Sequence, residues 1–130
     1  MIVLDASAAI DWLIQSPAGH LIGQRIRTRN ETIHVPHLFD VEILQVLRRL
    51  VWQRVISERR ADLAVQDLLN LRAVRYPHFI LLCRIWQLRQ KLTAYDAAYV
   101  ALSERLYAPL ITRDARLSAA SGHAAHIELF

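Results

Sequence analysis

Thr93-Ala94-Tyr95-Asp96-Ala97-Ala98-Tyr99-Val100-Ala101-Leu102 holds one charge in ten residues. Its alanines and leucine favour a helix. A helix apolar on every side packs inside, because a solvent-facing one shows polar residues on its outer face. Asp96 is therefore expected near the interior, where a carboxylate has to be neutralised, paired with a cation or bound to a metal. A second reading stands beside this one: Thr93 is an N-cap, and Asp96 is the N3 acid of a capping-box-like pair that also suits the helix dipole. Other acids in the chain decide between them.

Downstream, Ala108 to Thr112 is an apolar strand, and Arg113-Asp114-Ala115-Arg116-Leu117 leads into a short helix ended by Gly122. Asp114 thus follows a strand. His126 to Leu129 forms a last strand. Upstream, His78 to Lys91 reads as a helix, Ala73 to Tyr76 as an edge strand before Pro77, and Ser57 caps a helix to about Arg72. Cys83 falls in an apolar run and is expected to be buried. The preceding helix, His37 to Gln53, carries Glu42 on the face of Leu38, Phe39, Gln45 and Val46. Asp40 points about 200° away, so it belongs to helix-start electrostatics and Glu42 to any shared site.

Thr32 to Val35 is a second strand stopped by Pro36, and Ala18 to Arg29 a helix with arginines at its end. Met1-Ile2-Val3-Leu4-Asp5 is an unbroken apolar run ending in an acid, as in a central parallel strand buried on both faces. Ser7 is the expected N-cap of the helix that follows. Asp5 either lies where open α/β sheets place ligands or caps that helix. None of the six histidines has metal-site spacing, so all are read as surface or satisfied core residues.

The chain of 130 residues, 54% hydrophobic with four prolines and three glycines, is expected to form one globular domain over residues 1–130. One cysteine excludes an internal disulfide or a Cys-rich zinc site. The start lacks a basic region, Asp5 and Asp11 interrupt its apolar run, and no stretch is fit to span a bilayer, so a cytoplasmic location with no membrane association is expected. The formal charge is +4, with Lys91 the only lysine among sixteen basic residues. Setting Asp5, Glu42, Asp96 and Asp114 aside as ligands leaves the rest of the chain at +8, which suits a polyanion; arginine-rich composition alone favours nucleic acid only modestly.

Asp5 and Asp114 end strands, Glu42 follows one and Asp96 opens a buried helix. In a parallel sheet with helical crossovers, such acids converge at one edge. Gathered without a cation they would raise one another's pKa. An all-oxygen, histidine-free set suits Mg²⁺ or Mn²⁺ over zinc, and one or two such ions activate water against a phosphodiester.

The sequence resembles the PIN-domain family, in particular the VapC-type toxins of bacterial toxin–antitoxin pairs. The resemblance rests on Ile2 to Ala8, Pro36 through Glu42 to Arg49, Thr93 to Leu102, and Leu110 to Asp114, in order and at family-like spacing. It implies a three-layer α/β/α fold with a central, mostly parallel five-stranded sheet, and a divalent-metal-dependent endoribonuclease inhibited by a VapB-like antitoxin. Asp5, Glu42, Asp96 and Asp114 carry over as the catalytic and metal-holding acids. Ser7 and Thr112 are the hydroxyls beside them, expected to orient a ligand or water. Where some members have a further acid after the last one, this chain has Arg116 and Leu117; Arg113 or Arg116 would touch substrate phosphate instead. A homodimer follows from the family. Helices around Trp12, Trp52 and Trp86 hold more large apolar residues than one small core needs, as a partner surface would. Two rivals remain at this point: an inactive PIN-like module that binds RNA or protein, and a structure-specific DNA nuclease.

Overall fold

The computed structural model describes residues 1–130. Segments too short for helices become five strands, apolar at the centre of the sheet and mixed at its edges: β1 (Ile2–Leu4), β2 (Ile33–Pro36), β3 (Ala73–Tyr76), β4 (Leu110–Thr112) and β5 (Ile127–Leu129). They form one sheet in the order β3-β2-β1-β4-β5, and every pair is parallel. β1 is wholly buried, and each such Val, Leu or Ile side chain contributes roughly 1.5–3 kcal/mol. Pro36 was expected to stop β2. It lies within the strand, in register with Tyr76 of the edge strand β3.

The helices are α1 (Ala6–Leu13), α2 (Pro17–Thr28), α3 (Leu38–Trp52), α4 (Glu58–Asn70), α5 (Leu82–Gln87), α6 (Ala94–Leu106) and α7 (Ala115–Ala119). Helix α6 crosses β1, β2 and β4, while α1 gathers α2, α3 and α4 around it. No helix is long and apolar enough to cross a membrane. Ser16 and Ser57 cap α2 and α4 through their hydroxyls.

Three local expectations change. Asp5, not Ser7, occupies the N-cap position of α1, and Ser7 lies inside the helix. The segment expected as one helix from His78 divides into a 3-10 turn, His78–Leu81, and the short α5. Its buried or partly buried residues Leu81, Ile85 and Leu88 recur at helical spacing, which leaves Cys83 on the outer side, exposed. Helix α7 ends at Ala119, short of Gly122, which takes a positive φ in the following loop.

The topology creates the site. From β1 the chain moves outward to β2 and β3, then returns to place β4 on the other side of β1. The strand order reverses between β1 and β4, and a ligand crevice opens beyond the carboxyl ends of strands at such a point. Asp5 and Asp114 follow those two strands.

Candidate functional site

A cleft of about 480 Å³ opens there and is lined by all four expected acids, Asp5, Glu42, Asp96 and Asp114. Helix α3 brings Leu38, Val41, Glu42, Gln45 and Val46 to it, and the first turn of α6 brings Tyr95 and Asp96.

Asp5 is the buried member, 8% exposed. Ser7 Oγ donates to its Oδ2 at 2.5 Å and Thr112 Oγ1 to the same oxygen at 2.6 Å. These hydroxyls in turn accept the backbone N–H groups of Arg113 and Asp114, both at 3.0 Å. A chain of hydrogen bonds therefore holds Asp5 from the ends of β1 and β4 together, and Oδ1 takes no bond from a side chain. Burial pushes the Asp5 carboxyl up; the two hydroxyls oppose this, and the charge of Asp96 adds to it.

Glu42 accepts the hydroxyl of Tyr99 at 2.5 Å. Burial raises its pKa first, the Tyr99 bond works against that, and the charges of Asp5 and Asp96 push it further up. Tyr99, 1% exposed, is itself pushed far up by burial and by Glu42. Sequence reasoning missed this tyrosine. The available signal was its position one turn after Asp96 on the same helix.

Asp96 sits where α6 leaves the interior: Ala97 to Ser103 are buried, whereas Thr93 to Tyr95 are exposed and Asp96 is half-buried. Thr93 caps the helix, accepting the Asp96 N–H at 3.1 Å. The Asp96 carboxylate does not reach back to Thr93, so the reciprocal half of a capping box is unformed and that carboxylate is left facing the cleft.

Asp114 differs from the other three. Its carboxylate caps α7 through the N–H groups of Arg116 and Leu117, and it meets the Arg116 guanidinium at 3.1 Å. The Arg116 bond, with the two backbone donors, holds it below the usual carboxylate range. Arg116, expected to meet phosphate, is forked onto Asp114. Arg113 pairs with Asp11 at 2.8 Å and donates to the Phe130 carbonyl. Asp40 is spent on Arg75, as its separate orientation from Glu42 requires.

Asp5, Glu42 and Asp96 form no ion pair. They share one cleft, and two of them are driven towards protonation by burial and by their neighbours' charge. Oxygen donors alone, with net negative charge and no ion pair of their own, fit a hard divalent ion. As they stand, no three of the acids form a ready-made coordination group. Each carboxylate with a local donor is turned to it: Asp5 to Ser7 and Thr112, Glu42 to Tyr99, Asp114 to α7 and Arg116. Rotation of Glu42 and exchange of Arg116 would be needed to close the set.

A carboxyl whose folded pKa is raised weakens the fold only where it has to ionise, so its cost is absent below the ordinary glutamate value of 4.5 and grows as pH rises through the folded pKa. Metal-free Glu42→Gln should therefore melt with the parent near pH ~4 and above it near pH ~7 in calorimetry; a constant difference at both would contradict the burial argument. Tyr99→Phe removes the bond that lowers the Glu42 pKa. The Glu42 carboxyl of the metal-free protein should then titrate at higher pH by carbon-13 NMR; an unshifted titration would show Tyr99 to be packing only.

The family profile of the PIN domain matches residues 2–122. Ribonuclease VapC12 of Mycobacterium tuberculosis is 44% identical over 129 residues, 99% of this chain and 98% of that protein. Among solved structures, PAE2754 from Pyrobaculum aerophilum superposes with a TM-score of 0.73 at 20% identity, covering 97% of this chain and 81% of that one. VapBC2 from Rickettsia felis, solved bound to a DNA fragment from its promoter, gives 0.66 at 13% identity, covering 99% and 98%. With a parallel sheet whose order reverses beside Asp5, an acidic cleft at that reversal and full-length likeness to a VapC ribonuclease, the chain belongs to the PIN-domain family.

Proposed function

We propose that this protein is a divalent-metal-dependent endoribonuclease, the toxin of a VapBC-like toxin–antitoxin pair. It hydrolyses RNA phosphodiester bonds in the cleft lined by Asp5, Glu42, Asp96 and Asp114, with Mg²⁺ or Mn²⁺ as cofactor. The observation that carries this reading is the set of three unpaired carboxylates in one cleft at the strand-order reversal.

Asp5, clamped by Ser7 and Thr112, offers a fixed oxygen with little freedom to lose. Asp96 and Glu42 supply further oxygens from α6 and α3, and Asp114 joins them when Arg116 moves to substrate phosphate. Glu42, standing in the same cleft, completes that oxygen set or orients the attacking water. A bound divalent ion supplies charge neutralisation at the phosphate and acidifies water. The basic remainder of the chain draws the RNA backbone towards this local acidic cleft.

Exposed apolar side chains on α3 and α4, including Trp52 at 72% and Leu69 at 72%, support a protein partner, read here as the cognate antitoxin. A homodimer in the cytoplasm completes the proposal; sedimentation showing only monomer at micromolar concentration would refute the dimer. The central test is cleavage of single-stranded RNA with Mg²⁺ or Mn²⁺ and its loss in a chelator, beside calorimetric titration of the ion. RNA binding without divalent binding or cleavage would favour an inactive module, and cutting of flapped DNA but not RNA would favour a DNA nuclease.

A further inference from the structure

The cleft is not uniformly acidic. Tyr95 immediately precedes Asp96 on the first turn of α6 and lines the same cleft, yet it is 65% exposed. From α3, Val41 at 69% exposure and the exposed Gln45 line it as well. Exposed apolar side chains scattered singly need no explanation, but these converge from two helices on one anionic cleft.

Tyr95 also differs from the exposed tryptophans. The Arg48 guanidinium lies 3.7 Å from the centre of the Trp52 ring, and that of Arg89 lies 4.6 Å from Trp86, so each of those rings is faced by a cation of the protein. No ring or guanidinium of the chain stacks on Tyr95. Its hydroxyl makes no hydrogen bond within the protein either, unlike those of Tyr76 and Tyr99.

A single-stranded nucleotide brings two chemically different parts to such a place. Its phosphate belongs with the carboxylates through a cation, and its base needs a flat apolar surface close by. Aromatic rings serve unpaired bases in that way, because every base has a π-face.

We propose that Tyr95 is the stacking platform for the base adjoining the scissile phosphate, with Val41 and Gln45 of α3 bounding the same subsite. The inference rests on the nuclease reading and deepens it by naming where the substrate's base lies. It makes the enzyme select an unstacked base beside the cut, because a base held within a duplex cannot turn onto the ring. Gln45 places an amide where it can meet the edge of that base.

The test uses the full chain. Cleavage of a single-stranded RNA oligonucleotide is mapped, and kcat and KM are then measured for the parent, Tyr95→Ala and Tyr95→Phe. Each is assayed on the intact oligonucleotide and on one with an abasic nucleotide beside the cleaved bond. Tyr95→Ala should lower kcat/KM about tenfold or more on intact RNA, mainly through KM, while Tyr95→Phe stays close to the parent. On the abasic substrate the parent should fall to the level of Tyr95→Ala. Equal activity of Tyr95→Ala and parent on intact RNA overturns the inference, as does an equal loss on intact and abasic substrates; in both cases the parent's metal-dependent activity leaves the nuclease reading standing. A parent that leaves RNA uncut with Mg²⁺ and with Mn²⁺ overturns that reading and the inference together.

Discussion

Asp96→Asn should lower metal-dependent RNA cleavage by roughly two to three orders of magnitude, the scale of losing one preorganised polar group from a reaction centre. The substitution keeps the shape of the side chain and removes only its charge. What α6 needs at this position is the backbone N–H that Thr93 accepts, and asparagine retains it. The carboxylate itself takes no hydrogen bond within the protein, so no buried donor is stranded by the change. It does add to the pressure on Asp5 and Glu42, raising both carboxyls. Metal-free Asp96→Asn should consequently melt at or above the parent near neutral pH while binding the divalent ion more weakly. Initial rates on a single-stranded RNA at saturating Mn²⁺, beside a melting curve, separate the two effects. Cleavage within about threefold of the parent would remove Asp96 from the site.

Gly19→Ala is the largest expected loss of stability. A Cβ built on Gly19 would stand 2.0 Å from the Asp11 carbonyl oxygen, 2.4 Å from its carbon and 2.8 Å from Trp12 Cα. These are backbone atoms of α1, and they cannot turn aside as a side chain can. The methyl would force α2 away from α1 and disturb the junction where Ser16 bonds to Asp11 and caps Gly19. The cost should be about 3 kcal/mol or more, lowering Tm by about 10 °C. Gly23 provides the contrast. A Cβ there meets side chains alone, Trp12 Nε1 at 2.7 Å and Arg27 Nη1 at 3.0 Å; the arginine end can swing aside, and the indole has to shift within its packing, but no backbone stands in the way. Gly23→Ala should cost less in a thermal melt, and equal losses at the two positions would show that the backbone contact is not what the fold resists.

Asp11 couples this junction to the cleft. It holds Arg113 of the β4–α7 connection, the segment whose N–H groups at Arg113 and Asp114 feed the hydroxyls on Asp5. A displaced α1–α2 pair would therefore loosen the donors that fix the buried carboxylate.

The chain by itself determined the elements and the acids. Met1 to Leu4 and Ala108 to Thr112 are short apolar runs that read as central strands buried on both faces, and each is followed by an acid, Asp5 or Asp114. The helical period put Glu42 and Asp40 on different sides of α3, and one lines the cleft while the other pairs with Arg75. Local pattern was a poorer guide at helix ends: Ser7, expected to cap α1, is drawn to Asp5, because the competing acceptor lies in space beside it. Only the tertiary structure decided which partner each polar group found. The Tyr99–Glu42 bond and the capture of Arg113 by Asp11 depend on how helices seat across the sheet. Periodicity along a chain specifies which way a side chain faces; the distance to a partner over a hundred residues away is set by strand order and packing, which no local pattern carries.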